Sequence, residues 1–175
     1  MSYQLTIEPL GATIEVEEGQ TVLDAVLRQG LYLPHACGHG LCGTCKVQVN
    51  PFALMDFERD DGKTLACCAT LQADTTIEAD IDEEPDARVI PVRDFAATVS
   101  RVEDLTPTIK AIHLQLDKAI DFQAGQYVQV EIPGVGSRAF SIANHPADVA
   151  ATKGIELNVR KLPGGAGITW LHEQL

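Results

Sequence analysis

The chain holds five cysteines, and three of them, Cys37, Cys42 and Cys45, fall within nine positions of the stretch "CGHGLCGTCK". Another 21 residues separate Cys45 from the adjacent pair Cys67 and Cys68. C-x4-C-x2-C followed at a distance by a further cysteine is the plant-type spacing for a 2Fe-2S cluster. Two irons and two sulfides form a flat rhomb that takes four thiolates, two on each iron. One loop can supply three of them only if its backbone bends sharply. Gly38, Gly40 and Gly43 permit that bending and let backbone N–H groups approach the sulfurs, where they offset negative charge. Cys67 and Cys68 compete for the fourth position. Neighbouring side chains of an extended segment point to opposite faces, so one of the two serves and the other is a buried free thiol.

Two other metal chemistries fit this spacing poorly. A structural zinc site uses its four cysteines as two knuckles of two, whereas here three share one loop. A Rieske centre needs two histidines, and the partner of "CGH" is missing, because Cys68, Ala69 and Thr70 follow Cys67. His35 and His39 therefore read as solvent-side or hydrogen-bonding residues. An odd cysteine number argues against a fully paired disulfide framework.

The elements that must position these cysteines follow from periodicity. "YQLTIE" and "TIEVEE" alternate around Pro9 and Gly11, which predicts a β-hairpin. Thr21 caps a helix over "TVLDAVLRQG", with Asp24 as a variant capping box and Gly30 as the stop. "CKVQVN" and "TTIEADI" read as strands, and "PFALMDFERDD" as a short helix. The first eighty or so residues are a small mixed sheet with one main helix. "DEEPDARVIP", residues 82–91, has two prolines and no periodicity and reads as a linker. "FAATVSRVED", "TIKAIHLQL", "QYVQVEI", "RAFSIA" and "IELNVRK" then predict an antiparallel barrel or sandwich, and "GGAGITWLHEQL" a glycine turn opening a helix. The expected domains are residues 1–90 and 92–175.

Charge divides the same way. The formal net charge is -12; residues 1–91 hold 16 acids and 5 bases, residues 92–175 hold 9 and 8. An acidic first half disfavours nucleic acid and anionic membrane and suits a basic protein surface, although acidity also serves solubility alone. No apolar run approaches the length of a membrane span, and "MSYQLTIEPL" lacks the basic start and apolar stretch of a secretory signal. The expectation is a cytoplasmic protein.

The cysteine loop, "LACC" and "FALMDFERD" together resemble the reductase component of multicomponent phenol hydroxylases, within the ferredoxin–NADP reductase superfamily. The resemblance runs from the N-terminus to the last residue. It implies an α+β ferredoxin-like (β-grasp) domain followed by an incomplete antiparallel β-barrel that binds FAD. It also implies Cys67, the cysteine after "LA", as fourth ligand beside Cys37, Cys42 and Cys45. In "RAFS", Arg138 would contact the flavin phosphate or ribityl region, Phe140 would pack on the ring system, and Ser141 would hydrogen-bond near the reactive nitrogen. Arg160 is a further flavin contact. Gly164 and Gly165 would place the pyrophosphate at a helix N-terminus, where free N–H groups favour an anion. Relatives carry Ser or Thr at the position of Ile168, so the hydroxyl of Thr169 is displaced by one.

The implied function is oxidoreductase electron transport in aromatic hydrocarbon catabolism: from NADH through FAD and the cluster to an oxygenase component. Two departures qualify it. The family spaces its third and fourth cysteines by roughly thirty residues. And the sequence reaches Leu175 without a G-x-G-x-x-G turn or βαβ alternation. The expectation is a chain missing its nicotinamide domain, through a truncated gene, a fragment or a split product, and binding NADH only when completed. The alternative is a stand-alone one-electron 2Fe-2S carrier or a non-functional fragment.

Overall fold

A computed structural model of the chain describes residues 1–50, 58–59, 62–81 and 88–175. The chain divides into two compact units, Met1–Arg93 and Asp94–Leu175.

The first unit starts with the expected hairpin, β1 (Ser2–Glu8) and β2 (Ala12–Glu17), paired antiparallel. Its alternation places Leu5, Ile7, Ile14 and Val16 in the core. Helix α1 (Val22–Arg28) follows, then strands β3 (Lys46–Asn50), β4 (Glu58–Arg59), β5 (Lys63–Leu65) and β6 (Thr75–Glu78). The sheet order is β2-β1-β6-β3-β5-β4, and β6 lies parallel to β1. Val22 and Val26 of α1 are fully buried against Leu5, Ile7, Leu65 and Ile77, each burial contributing roughly 1.5–3 kcal/mol.

Both ends of α1 are built as its sequence indicates. The Thr21 hydroxyl accepts from the Asp24 N–H at 3.2 Å. The reciprocal half of the box is absent, because the Asp24 carboxylate instead accepts from Gln20 Nε2 and Arg28 Nε. Two further N–H groups of the first turn, Val22 and Leu23, donate to the carbonyls of Ala69 and Ala66 at 2.9 and 2.8 Å. At the other end Gly30 adopts φ 77 and the Val92 N–H reaches the Leu27 carbonyl at 3.1 Å.

The short helix expected over "PFALMDFERDD" is corrected where it can be seen. Glu58–Arg59 is strand, paired with Thr64 and Lys63 of β5 around Gly62 at φ 74. A hairpin partner decides the backbone there, overriding a weak local pattern. Residues 51–57 and 60–61 of that stretch lie outside the described residues, as do residues 82–87 of the expected linker.

The second unit contains β7 (Ala97–Thr106), β8 (Ile109–Leu116), β9 (Tyr127–Ile132), β10 (Gly136–Ser141), α2 (Pro146–Thr152), β11 (Gly154–Arg160) and α3 (Ala166–Glu173). Its strands form an antiparallel sheet β11-β8-β7 and a hairpin β10-β9. A bridge between Ile142 and Leu157 and the 2.8 Å bond from the Ala143 N–H to the Glu156 carbonyl join the two. The strands are mostly antiparallel and do not close into a barrel, in keeping with an incomplete one. Ile112, Leu157, Val159 and Leu171 are among the residues that fill its core. Helix α2 has no counterpart in the sequence reading. Its signals are a His145 cap that accepts from the Ala147 N–H and Pro146 in the first turn. Among the described residues, no helix is long and apolar enough to cross a membrane.

The Thr21 cap gives a direct check. Thr21→Ala is expected to lower unfolding stability by about 1 kcal/mol in urea titration, with Thr21→Ser close to the parent.

Candidate iron-sulfur centre

The loop before β3 folds around its own sulfurs. Gly38, Gly40 and Gly43 adopt φ of 72, 84 and 79, a region that side-chain-bearing residues rarely occupy. A Cβ on Gly43 would meet nothing within 4 Å, so its requirement is conformational rather than steric. This winding turns the N–H groups of Leu41 and Cys42 onto Cys37 Sγ, each at 3.4 Å. The N–H groups of Cys42, His39 and Leu41 bring the Cys37 thiol down to about 6. The Thr44 hydroxyl, followed by backbone N–H groups, lowers the Cys42 thiol.

Cys45 and Cys67 experience the opposite environment. Burial pushes Cys45 up to about 11, and burial also raises Cys67 against the pull of the Cys45 thiol and the Gly40 N–H. The Ala66 N–H donates to the Cys45 carbonyl at 3.0 Å, next to the Lys46–Leu65 rung of the β3–β5 ladder. That rung brings Cys67 beside Cys45.

The four thiols thus fall into two pairs, Cys37 with Cys42 at the surface and Cys45 with Cys67 beneath. Among the described residues, no three His, Cys, Asp or Glu side chains gather about one ion position. Paired thiols ringed by backbone N–H donors fit a binuclear cluster, which takes its ligands two by two.

The expectation that Cys67 and Cys68 diverge is corrected. Residues 66–68 form a turn, because the N–H groups of Cys68 and Ala69 both donate to the Leu65 carbonyl. The two sulfurs end up 3.7 Å apart. Of the histidines, His35 is hydrogen-bonded through Nδ1 to the Leu33 carbonyl at 2.8 Å, and His39 is exposed.

In the second unit, Arg138 and Phe140 share one face of β10 and Ser141 takes the other. Arg138 and Ser141 are exposed and Phe140 is half-buried against the core. Ser141 pairs across the ladder with Tyr127. Arg160 is the exposed last residue of β11. Gly164 adopts φ 81 and Gly165 caps α3 without a side-chain bond. Thr169 lies within α3, its N–H donating to the Gly165 carbonyl at 2.8 Å.

A residue overlooked in the sequence joins two of these parts. A Cβ on Gly167 would sit 3.1 Å from Ile132 Cδ1 and 3.3 Å from Arg138 Cγ, so the first turn of α3 packs directly on β9 and β10. Its only signal was a third glycine after "GG". An open pocket of about 450 Å³ is lined by Gly164, Ala166, Thr169, Trp170, Glu173 and Gln174; Arg138, Phe140, Ser141 and Arg160 are not in its wall. Thr44 was also overlooked, for a lone threonine in a loop carries no periodic signal.

The model of a 2Fe-2S iron-sulfur cluster binding domain matches residues 5–72, a span that includes all five cysteines. The chain is 59% identical over 186 positions to the phenol hydroxylase P5 protein of Acinetobacter pittii, covering 100% of this chain and 52% of that protein. It is 53% identical to the phenol 2-monooxygenase reductase component DmpP of a Pseudomonas species, with the same coverage. Among solved structures, the Amycolatopsis cytochrome P450 reductase GcoB superposes with a TM-score of 0.81 at 37% identity, over 99% of this chain and 54% of that one. The ferredoxin reductase of carbazole 1,9a-dioxygenase gives 0.79 at 25% identity, over 99% and 55%. The chain spans about half the length of the curated relatives it matches.

The contrast between the thiol pairs sets a pH profile for the cluster-free chain. Thiolate, not thiol, attacks iodoacetamide. Cys37, ionised above about pH 6, should be alkylated at its full rate by about pH 7. Cys45, held protonated up to about 11, should still gain rate near pH 10. Peptide mapping after timed labelling reads both.

Proposed function

From a 2Fe-2S cluster binding domain joined to a reductase-type fold, matching phenol hydroxylase reductase components at high identity, we propose an electron-transfer module that feeds an oxygenase. The observation that carries this reading is the arrangement of four thiols as two pairs, one at the surface and one buried. In the whole protein the electrons would come from NADH through FAD, and the acceptor would be the oxygenase component of an aromatic hydroxylase.

Cys37, Cys42, Cys45 and Cys67 would hold the cluster, which supplies one-electron chemistry, beside a flavin that takes two electrons as hydride. The loop's own groups prepare the site. N–H groups directed at Cys37 and the Thr44 hydroxyl beside Cys42 favour negative charge on these two sulfurs. Around Cys45 and Cys67 the core excludes water. Cys42 and Leu41 are exposed, Leu41 to 78%, so the outer pair is the side from which a partner protein can be reached. The acidic first half would then steer a basic partner surface toward it, a rate effect that salt weakens.

For the flavin, the support is the meeting of Arg138 with the glycine turn through Gly167. That contact is to the Arg138 stem at Cγ, while its guanidinium donates to the Ser137 carbonyl at 2.6 Å; turned toward the helix N-terminus, it would suit a pyrophosphate. Phe140 and Ser141 follow on the same strand, and Arg160 extends the positive charge at the end of β11.

The test separates the two cofactors. Arg138→Glu should weaken FAD binding at least about tenfold by fluorescence titration while leaving iron content unchanged, since the two sites lie in separate units. In the parent chain, iron with flavin supports the relay. Iron without flavin reduces it to a one-electron carrier, and absence of both overturns it.

A further inference from the structure

Cys68 stands outside the two thiol pairs, yet its sulfur lies 3.7 Å from that of Cys67. Two thiolates bound to one tetrahedral metal at about 2.3 Å each lie about 3.8 Å apart. Cys67 and Cys68 are therefore spaced as two ligands of a single ion would be. Their backbone is tied on both sides. The N–H groups of Cys68 and Ala69 donate to the Leu65 carbonyl at 2.9 and 3.0 Å, and the carbonyls of Ala66 and Ala69 accept from Leu23 and Val22 of α1. Cys68 is half-buried beside the core that covers Cys67, not turned away into solvent. The turn that carries both sulfurs is thus held by backbone bonds that a change of ligand need not break.

We propose that Cys68 is an alternative ligand for the iron that Cys45 and Cys67 would hold, replacing Cys67 when that thiolate is released or lost. The inference rests on the cluster reading above. In the exchange one iron–sulfur bond to Cys67 breaks and one to Cys68 forms. The Cys68 thiol proton passes to the departing Cys67 thiolate, and no iron changes oxidation state.

The experiment reconstitutes the full chain anaerobically with iron and sulfide, removes added thiols by desalting, and measures bound iron, labile sulfide and the electron paramagnetic resonance of the reduced state. Cys68→Ala should match the parent. Cys67→Ala should keep at least roughly half of the parent's iron with an altered spectrum, and Cys67→Ala/Cys68→Ala should lose at least about tenfold. Alanine is used because a serine oxygen could itself bind. Cys67→Ala falling to the level of the double variant, with the parent loaded, overturns the inference. A parent that binds no iron overturns the cluster reading itself, a separate failure. Should Cys67→Ala prove unfolded by circular dichroism, Cys67→Val, which fills the site without a ligating atom, takes its place, with alkylation of Cys68 as the readout. Cys68 in cluster-loaded Cys67→Val should label at least about tenfold more slowly than in the loaded parent. Equal rates overturn the proposal.

Discussion

The 3.0 Å hydrogen bond from the Ala66 N–H to the Cys45 carbonyl is the constraint on which the first unit depends. It extends the β3–β5 ladder by one step beyond Lys46–Leu65 and so fixes where Cys67 meets Cys45. Alone it is worth only about 0.5–1.5 kcal/mol. Its influence comes from register, because a slip of one residue would turn every side chain of β5 to the other face. Thr64 and Leu65 are fully buried, and α1 closes the same segment from the other side by bonding to Ala66 and Ala69. Sheet, helix and thiol pair are thus one cooperative arrangement. Among the described residues between Cys45 and Cys67, β4 is the hairpin partner of β5.

The two thiol pairs divide the electrostatic work. Backbone N–H groups and the Thr44 hydroxyl stabilise charge on the outer pair, whereas burial opposes charge on the inner one. Ligation must therefore remove protons from Cys45 and Cys67 against the effect of burial, which couples loading of the inner pair to pH. The inner pair is also the one whose position depends on long-range pairing. The outer pair is set by local turns with glycines at positive φ.

That difference decides how much could be read in the sequence. Cys37, Cys42 and Cys45, their glycines, the β1–β2 hairpin and the Thr21 cap are local, and residue types with short spacings determine them. The closeness of the Cys67 and Cys68 sulfurs was not legible, because the bonds to the Leu65 carbonyl that curl residues 66–68 arise from the fold around them. The strand at Glu58–Arg59 depends on its partner β5 in the same way. Helix α2 is only seven residues long and is set by His145 and Pro146 rather than by an apolar stripe. In the second unit "RAFS" and "GGAG" were visible as pieces. Their meeting through Gly167 and Arg138 was not, since nothing local encodes the approach of α3 to β9 and β10.

The central claim is that Cys37, Cys42, Cys45 and Cys67 form one binuclear site from two thiol pairs. Metal and labile-sulfide analysis of the chain purified without oxygen, with stepwise reduction followed by visible absorbance, tests it most directly. The account predicts iron and sulfide in equal amounts, two of each per chain, bleached by a single electron. Zinc, or one iron without sulfide, would contradict it.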